Sequence, residues 1–196
     1  MVYHGTIISM NELFDTIRFY DYGMYYDLYW TGLNNKILGT IFIGLAKYGI
    51  VIFFLTFAYL IWNKRINAFL CSFFALGLAG FADFVITIFW TRPRPFIVHH
   101  DLITPITQGL QVDPNSFPSG HTYIVFAIAA SIFLYGHKRL GVILFVLAIL
   151  VAVARIGAGL HYPSDVIAGA LLGLSSGAVA YLVVQRLEEY WEDRAS

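Results

Sequence analysis

Charged side chains are scarce in this sequence. Twelve basic and 12 acidic residues among 196 amount to 12%, about half of what a soluble domain of this length carries. With 59% apolar residues and a mean hydropathy of +0.70, that shortage excludes an ordinary soluble domain and points to a polytopic membrane protein. Formal net charge is zero and no basic tract accompanies the aromatics, so nucleic acid is not an expected partner. A single cysteine, Cys71, excludes an intramolecular disulfide, and inside an apolar run it reads as a small core residue. Also missing is a basic segment followed by a short apolar stretch and a small-residue cleavage site, so the first true span is expected to direct insertion itself. No HExxH or comparable ligand spacing is present; the expected metal is none, and no cofactor is expected.

What the chain does have is a series of long apolar runs. The expected spans are 37–62, 66–90, 121–135, 140–156 and 166–184, against the ~20 residues a bilayer needs. The third is short unless its first turn is sunk in the interface. Ahead of them, residues 1–36 mix Tyr, Trp and Phe with acids. Asn11 is a candidate cap for a short helix placing Leu13, Phe14, Ile17 and Tyr20 on one face, a pattern of a segment lying at headgroup level. The fold expected is therefore all-α, a membrane helical bundle of about five transmembrane helices plus an N-terminal interfacial amphipathic helix. It forms one domain over 1–196, with an interfacial segment 1–36, a transmembrane core 37–185 and a polar tail 186–196, and without internal repeats.

Short basic turns at Lys64-Arg65 and at His137-Lys138-Arg139 fall on the same side, which the positive-inside rule makes cytoplasmic. The alternate loops, 91–120 and 157–165, then face outward together. The first of these is too long for a plain helix connection and is expected to form a lid or substrate-facing surface. Lys47 within the first span should face the bundle or a polar cavity, and Asp83 within the second should have a neighbouring partner or face polar space. Gly169, Gly173 and Gly177, spaced by four, should let helices approach closely.

Three polar clusters lie in these outward loops. The first is Ser116 to His121, SFPSGH, at the start of an apolar run. There the unpaired N–H groups of a helix first turn, the Ser119 hydroxyl, the Gly120 amide and the His121 imidazole can converge on one anion. RPRPF at 92–96 supplies Arg92 and Arg94, and the third cluster is Arg155 with His161 and Asp165. Guanidinium forks offer the planar paired donation that suits a phosphoryl group. Asp165, four residues after His161, is placed to orient its imidazole and stabilise its cationic form, while Pro163 fits the first turn of the helix that follows. These residue types support in-line attack by His161, giving a phosphohistidine, with His121 as general acid and then general base.

The three blocks together resemble the type 2 phosphatidic acid phosphatase superfamily of lipid phosphatases and vanadium haloperoxidases. Its pattern combines a Lys ahead of Arg-Pro, then Pro-Ser-Gly-His, then Ser-Arg with His six positions on and Asp four further. Here these are Arg94-Pro95, Pro118 to His121, and Arg155, His161 and Asp165, within a resemblance covering about residues 37–185. The resemblance implies that His161 is the nucleophile, His121 the general acid/base and Asp165 the orienting residue. It also implies that Arg94, Ser119, Gly120 and Arg155 bind phosphate. Two positions depart from it: Thr87 replaces the Lys and Ala154 the Ser, with Arg92 a candidate substitute cation. The RPRPF run, the histidines after it and SFPSGHT resemble the undecaprenyl-diphosphate phosphatase branch. That branch implies a polyprenyl diphosphate substrate, cleaved to monophosphate and inorganic phosphate at the outer face of the plasma membrane for cell-wall assembly.

Alternative readings are a phosphatase for phosphatidylglycerol phosphate, phosphatidic acid or another lipid phosphate; a metal-dependent intramembrane hydrolase using His99, His100, Asp101, His121 and His161; and a transporter. Membrane lipids are the expected surroundings, and the oligomeric state is left open.

Overall fold

The computed structural model describes residues 10–99 and 113–195. It contains helices α1 (Met10–Asn34), α2 (Lys36–Trp62), α3 (Ile66–Phe89), the single turn α4 (Pro95–Val98), α5 (Gly120–Leu134), α6 (Lys138–Gly157) and α7 (Pro163–Ala195). Among the described residues no strand forms; the only sheet-like pairing there is an isolated antiparallel bridge, Pro93 to Asn115.

Four helices, α2, α3, α6 and α7, are long and apolar enough to cross a membrane, and α5 is a shorter apolar helix. At 1.5 Å per residue the 15 residues of α5 reach about 22 Å, too short to span the hydrocarbon alone. It occupies the centre instead. Every residue from Val125 to Ile132 is buried, the mark of a helix that is apolar all round, and α2, α3, α6 and α7 all pack on it. The outward faces of α2 and α3 expose Phe54, Leu55, Tyr59, Phe73, Phe81, Phe84 and Ile88. In water such a surface would drive association; in a bilayer it is the lipid contact.

The α5–α7 seam explains the glycine spacing. A Cβ on Gly169 would meet the Ser119 carbonyl at 2.7 Å, one on Gly173 the Tyr123 carbonyl at 2.4 Å, and one on Gly177 the Ala130 Cβ at 2.7 Å. Close approach of two backbones along this seam is what holds the start of α7 against the start of α5. Cys71 sits in the core with Ala75, Ala127 and Ala180.

Two expectations need amendment. The N-terminal helix is not short: α1 has 25 residues and docks on the bundle through Asp21, Tyr25 and Tyr29, all buried, while Phe19, Tyr20 and Met24 stay outside. Ile17 and Tyr20, expected on the apolar face, are both exposed, Ile17 lining a cavity beside Asp21; Asn11, Leu13 and Phe14 lie outside the described side chains. Lys47 does not face the bundle or a polar cavity. It is exposed, with its ammonium 5.1 Å from the Tyr48 ring centre, because the inner positions of that turn are taken by Ala46 and Gly49, the latter against Val151. The polar tail after the last span continues the same helix to Ala195, about 50 Å from Pro163 at the α-helical rise, so its charged final turns project beyond the hydrocarbon. Asp83 has a partner, accepting a hydrogen bond from Tyr123 Oη at 3.3 Å.

Candidate active site

The end of α3, the mouths of α5 and α7 and the end of α6 converge, and backbone pairing fixes how. Ser116 N–H donates to Arg92 O at 2.7 Å, and Asn115 Oδ1 accepts from Arg92 N–H at 2.8 Å, tying the segment after residue 112 to the RPRP turn. Ser119 N–H donates to Asp165 O at 3.0 Å, tying the mouth of α5 to that of α7. Residues 100–112, including His100, Asp101 and the middle of the loop expected to form a lid, lie outside the described residues.

His161 sits in the middle, 1% exposed. Its Nδ1 lies 2.9 Å from Ser116 O, an acceptor only, so Nδ1 carries the proton. Nε2 therefore presents a lone pair, and two guanidinium groups donate to it: Arg94 Nη1 at 3.0 Å and Arg155 Nη2 at 3.0 Å. Burial pushes the His161 pKa down to about 4, with Arg155 and Arg94 lowering it further and Asp165 opposing them. The depressed value keeps the ring neutral through ordinary pH, and a neutral imidazole is the nucleophilic form.

Both arginines are themselves held. Arg94 Nε donates to Asp113 O at 2.6 Å and Nη1 also to Leu160 O at 3.1 Å. Arg155 Nη1 donates to Ala46 O on α2 at 3.0 Å. Arg155 Nε, by contrast, is buried with no partner. Nε–H lies on the same guanidinium edge as Nη2, the edge turned to His161, and a buried donor left unpaired there costs free energy until an acceptor arrives. A phosphoryl oxygen is such an acceptor.

Asp165, fully buried, does not grip the imidazole directly. Its Oδ2 is 3.8 Å from His161 Nδ1; it accepts instead from Ser116 Oγ at 2.5 Å and from Tyr162 N–H at 2.9 Å. The Ser116 carbonyl fixes the tautomer, and the carboxylate fixes Ser116. The reason is local: as third residue of α7, Asp165 turns back on the backbone N–H of the residue before the helix, half of a capping box. Ser116 was legible only as the first letter of SFPSGH.

His121, on the first turn of α5, is half-buried and stands in the field of Arg155, His161 and Arg94. Gly120 and its two followers have N–H groups without intrahelical acceptors. Ser119 is fully buried, its N–H spent on Asp165 O and its Oγ accepting from Thr122 Oγ1 at 2.9 Å. Arg92 is also spent: Nη1 donates to Ser164 Oγ at 2.7 Å and Asp165 Oδ1 at 3.0 Å, and Nη2 to Asp21 Oδ2 at 2.7 Å. With its guanidinium carbon 3.8 Å from the centre of the Tyr162 ring, it serves the carboxylates rather than standing free for a phosphate. Thr87 bonds its own helix through Phe84 O. His99 packs on Tyr22, ring centres 4.9 Å apart, and among the described residues no three His, Cys, Asp or Glu side chains cluster as metal ligands. A cavity of about 810 Å³ abuts the site through Arg92 and Ser164, with α1 forming its other wall at Asp15, Arg18 and Asp21.

The chain is similar to several known proteins. Undecaprenyl-diphosphatase BcrC of Bacillus subtilis is 29% identical over 149 residues, 74% of either chain. Bacitracin transport permease protein BcrC of Bacillus licheniformis is 48% identical over 73 residues, 37% of this chain and only 36% of that one. Among solved structures, Aquifex aeolicus LpxE superposes with a TM-score of 0.62 at 29% identity, covering 74% of this chain and 86% of its own. A phosphatidylglycerolphosphate phosphatase of Bacillus subtilis superposes with a TM-score of 0.62 at 21% identity, covering 89% and 87%. The PAP2 superfamily sequence model matches residues 68–189, which hold all three polar blocks, and the chain thus belongs to the PAP2 superfamily.

Proposed function

We propose that the protein hydrolyses a polyprenyl diphosphate to the monophosphate and inorganic phosphate through a phosphohistidine at His161. The observation that carries this reading is the resting contact of two guanidinium donors with the bare Nε2 of His161. The same N–H groups that hold the lone pair can turn to the oxygens of a terminal phosphoryl group, releasing Nε2 to face phosphorus.

In the first step Nε2 forms a bond to phosphorus and the bond to the bridging oxygen breaks. His121, which burial and the neighbouring cations hold neutral before substrate binds, gains a proton as the anionic phosphoryl group binds beside it and gives that proton to the leaving oxygen. The imidazole of His161 keeps its Nδ1 proton and becomes cationic, stabilised by the Ser116 carbonyl and the charge of Asp165. Arg94, Arg155 and the first-turn amides of α5 neutralise the equatorial oxygens. In the second step His121 takes a proton from water, which attacks phosphorus as the bond to Nε2 breaks, and phosphate leaves. The positive charge this chemistry needs comes from side chains, and no metal takes part. Placing the two basic turns in the cytoplasm sets the site at the outer face of the plasma membrane.

The relative named undecaprenyl-diphosphatase supports a polyprenyl diphosphate as substrate. A phosphatase for phosphatidylglycerol phosphate, phosphatidic acid or another lipid phosphate is the second reading, favoured by the LpxE-like fold. A substrate panel in detergent separates them. Phosphate release is expected from polyprenyl diphosphate with kcat/KM at least about tenfold above the glycerophospholipid phosphates, the scale of a modest pocket preference, and unchanged by excess chelator. The reverse preference would establish the second reading. Loss of activity in chelator would require a metal, and no release from any lipid would leave a transporter.

A further inference from the structure

Helix α7 begins Tyr162-Pro163-Ser164-Asp165, with no Ser, Thr, Asp or Asn at the residue before Pro163 to cap it. The missing cap comes from another helix. Asp21 of α1, 143 positions earlier, accepts from Ser164 N–H through Oδ1 at 2.7 Å and from Ser164 Oγ through Oδ2 at 2.7 Å. Its Oδ2 also takes Arg92 Nη2 at 2.7 Å, while Arg92 Nη1 reaches Asp165 Oδ1 at 3.0 Å. Asp165 continues through Ser116 to His161. Asp21 and Asp165 are buried, with side chains 4% and 0% exposed, and Arg92 is three-quarters covered.

We infer that Asp21 is a positioning residue for His161, acting through Arg92 and Asp165, and that α1 is thereby a working part of the catalytic site. The inference rests on the proposed role of His161 as nucleophile.

The chemistry is a competition for one guanidinium. With Asp21 present, Arg92 divides its two terminal nitrogens between two carboxylates and holds Asp165 by a single donor. Oδ2 of Asp165 stays free for Ser116 and the Tyr162 amide. Without a carboxylate at position 21, the second nitrogen of Arg92 is released, and the favoured arrangement of Arg with a carboxylate is the paired fork. Closing that fork on Asp165 draws Oδ2 away from Ser116, and the carbonyl that orients His161 loses its anchor. Docking of α1 supports the arrangement from behind: Tyr25, one turn after Asp21, packs on Tyr162 with ring centres 5.5 Å apart, and Arg92 covers Tyr162 as well.

The test is Asp21→Asn, which keeps the size and the capping oxygen but cannot balance Arg92, measured alone and with Arg92→Gln on the full chain in detergent. A displaced nucleophile predicts a fall in kcat of about tenfold to a hundredfold with KM within about threefold. Inorganic vanadate, a tetrahedral oxyanion that becomes five-coordinate when a nucleophile such as Nε2 adds to it, should bind about tenfold more weakly, since such probes track the transition state. In the Arg92→Gln background Asp21→Asn should add less than about twofold, because both act through one path. An unchanged kcat and vanadate affinity in Asp21→Asn, or losses that multiply in the double variant, would overturn the inference. Should Asp21→Asn fail to fold, Arg92→Lys, which keeps the charge but replaces the two nitrogens that serve the two carboxylates by one, must show the same kcat loss, and full activity there would overturn it. Vanadate binding needs no turnover, so the two readings fail separately. Wild-type protein that binds vanadate, dependent on Asp21, yet cleaves no lipid phosphate would sink the proposed reaction alone. Vanadate affinity indifferent to Asp21 in an active enzyme would sink the relay alone.

Discussion

Replacing His161 should reduce phosphate release by about 10⁴-fold or more, the scale seen when a covalent nucleophile is removed. His161→Gln is the informative variant. His161→Ala would leave Arg94 and Arg155 facing each other with no acceptor between them, in a site where His161 is 1% exposed, so loss of activity there could reflect loss of fold. A glutamine side chain can present an amide oxygen to both guanidinium groups and an N–H toward the Ser116 carbonyl, yet has no nucleophilic nitrogen. The expected outcome is a protein with wild-type gel-filtration behaviour and thermal midpoint and no measurable turnover. Activity within tenfold of wild type would remove His161 from the nucleophile's role.

The second large effect is expected at Arg155. Arg155→Lys keeps the charge and close to the length but loses the planar edge that carries Nε and Nη2 together. One ammonium cannot hold the Ala46 carbonyl, 3.0 Å from Arg155 Nη1, and also reach a phosphoryl oxygen. The unpartnered Nε–H is the donor that substrate would satisfy, and loss of a donor aimed at transition-state charge costs roughly 10² to 10³ in rate. A fall of that size in kcat/KM, with the fold intact, is the expected result. A change of less than about threefold would mean that Arg155 acts only as a distant charge.

The apolar runs were legible because a bilayer demands them: four became helices long enough to cross, and the run at 121–135 became the shorter central helix α5. The three polar blocks were legible because ionisable groups are rare in such a chain, so Arg94, His121, Arg155, His161 and Asp165 stood out from their surroundings. What could not be read was how they divide the work. Asp165 lies four residues after His161, which suggested a direct bond; the capping geometry of α7 turns that carboxylate to Ser116 and Tyr162 instead. Lys47 was expected to face inward on the cost of a charge in hydrocarbon, but a long side chain can snorkel along the outer surface. Asp21 was hidden among the other acids of the N-terminal segment. Its signal was there in outline, since Asp21, Tyr25 and Tyr29 follow a spacing of four and form the buried face of α1.

The most direct test of the account is rapid acid-free quenching of enzyme turning over a polyprenyl diphosphate labelled in its terminal phosphate, followed by mapping of the label. The account predicts a base-stable, acid-labile phosphate on Nε2 of His161, accumulating in His121→Ala, where water is no longer activated to release it. Label on any other residue, or steady phosphate release with no protein-bound label at any time, would contradict it.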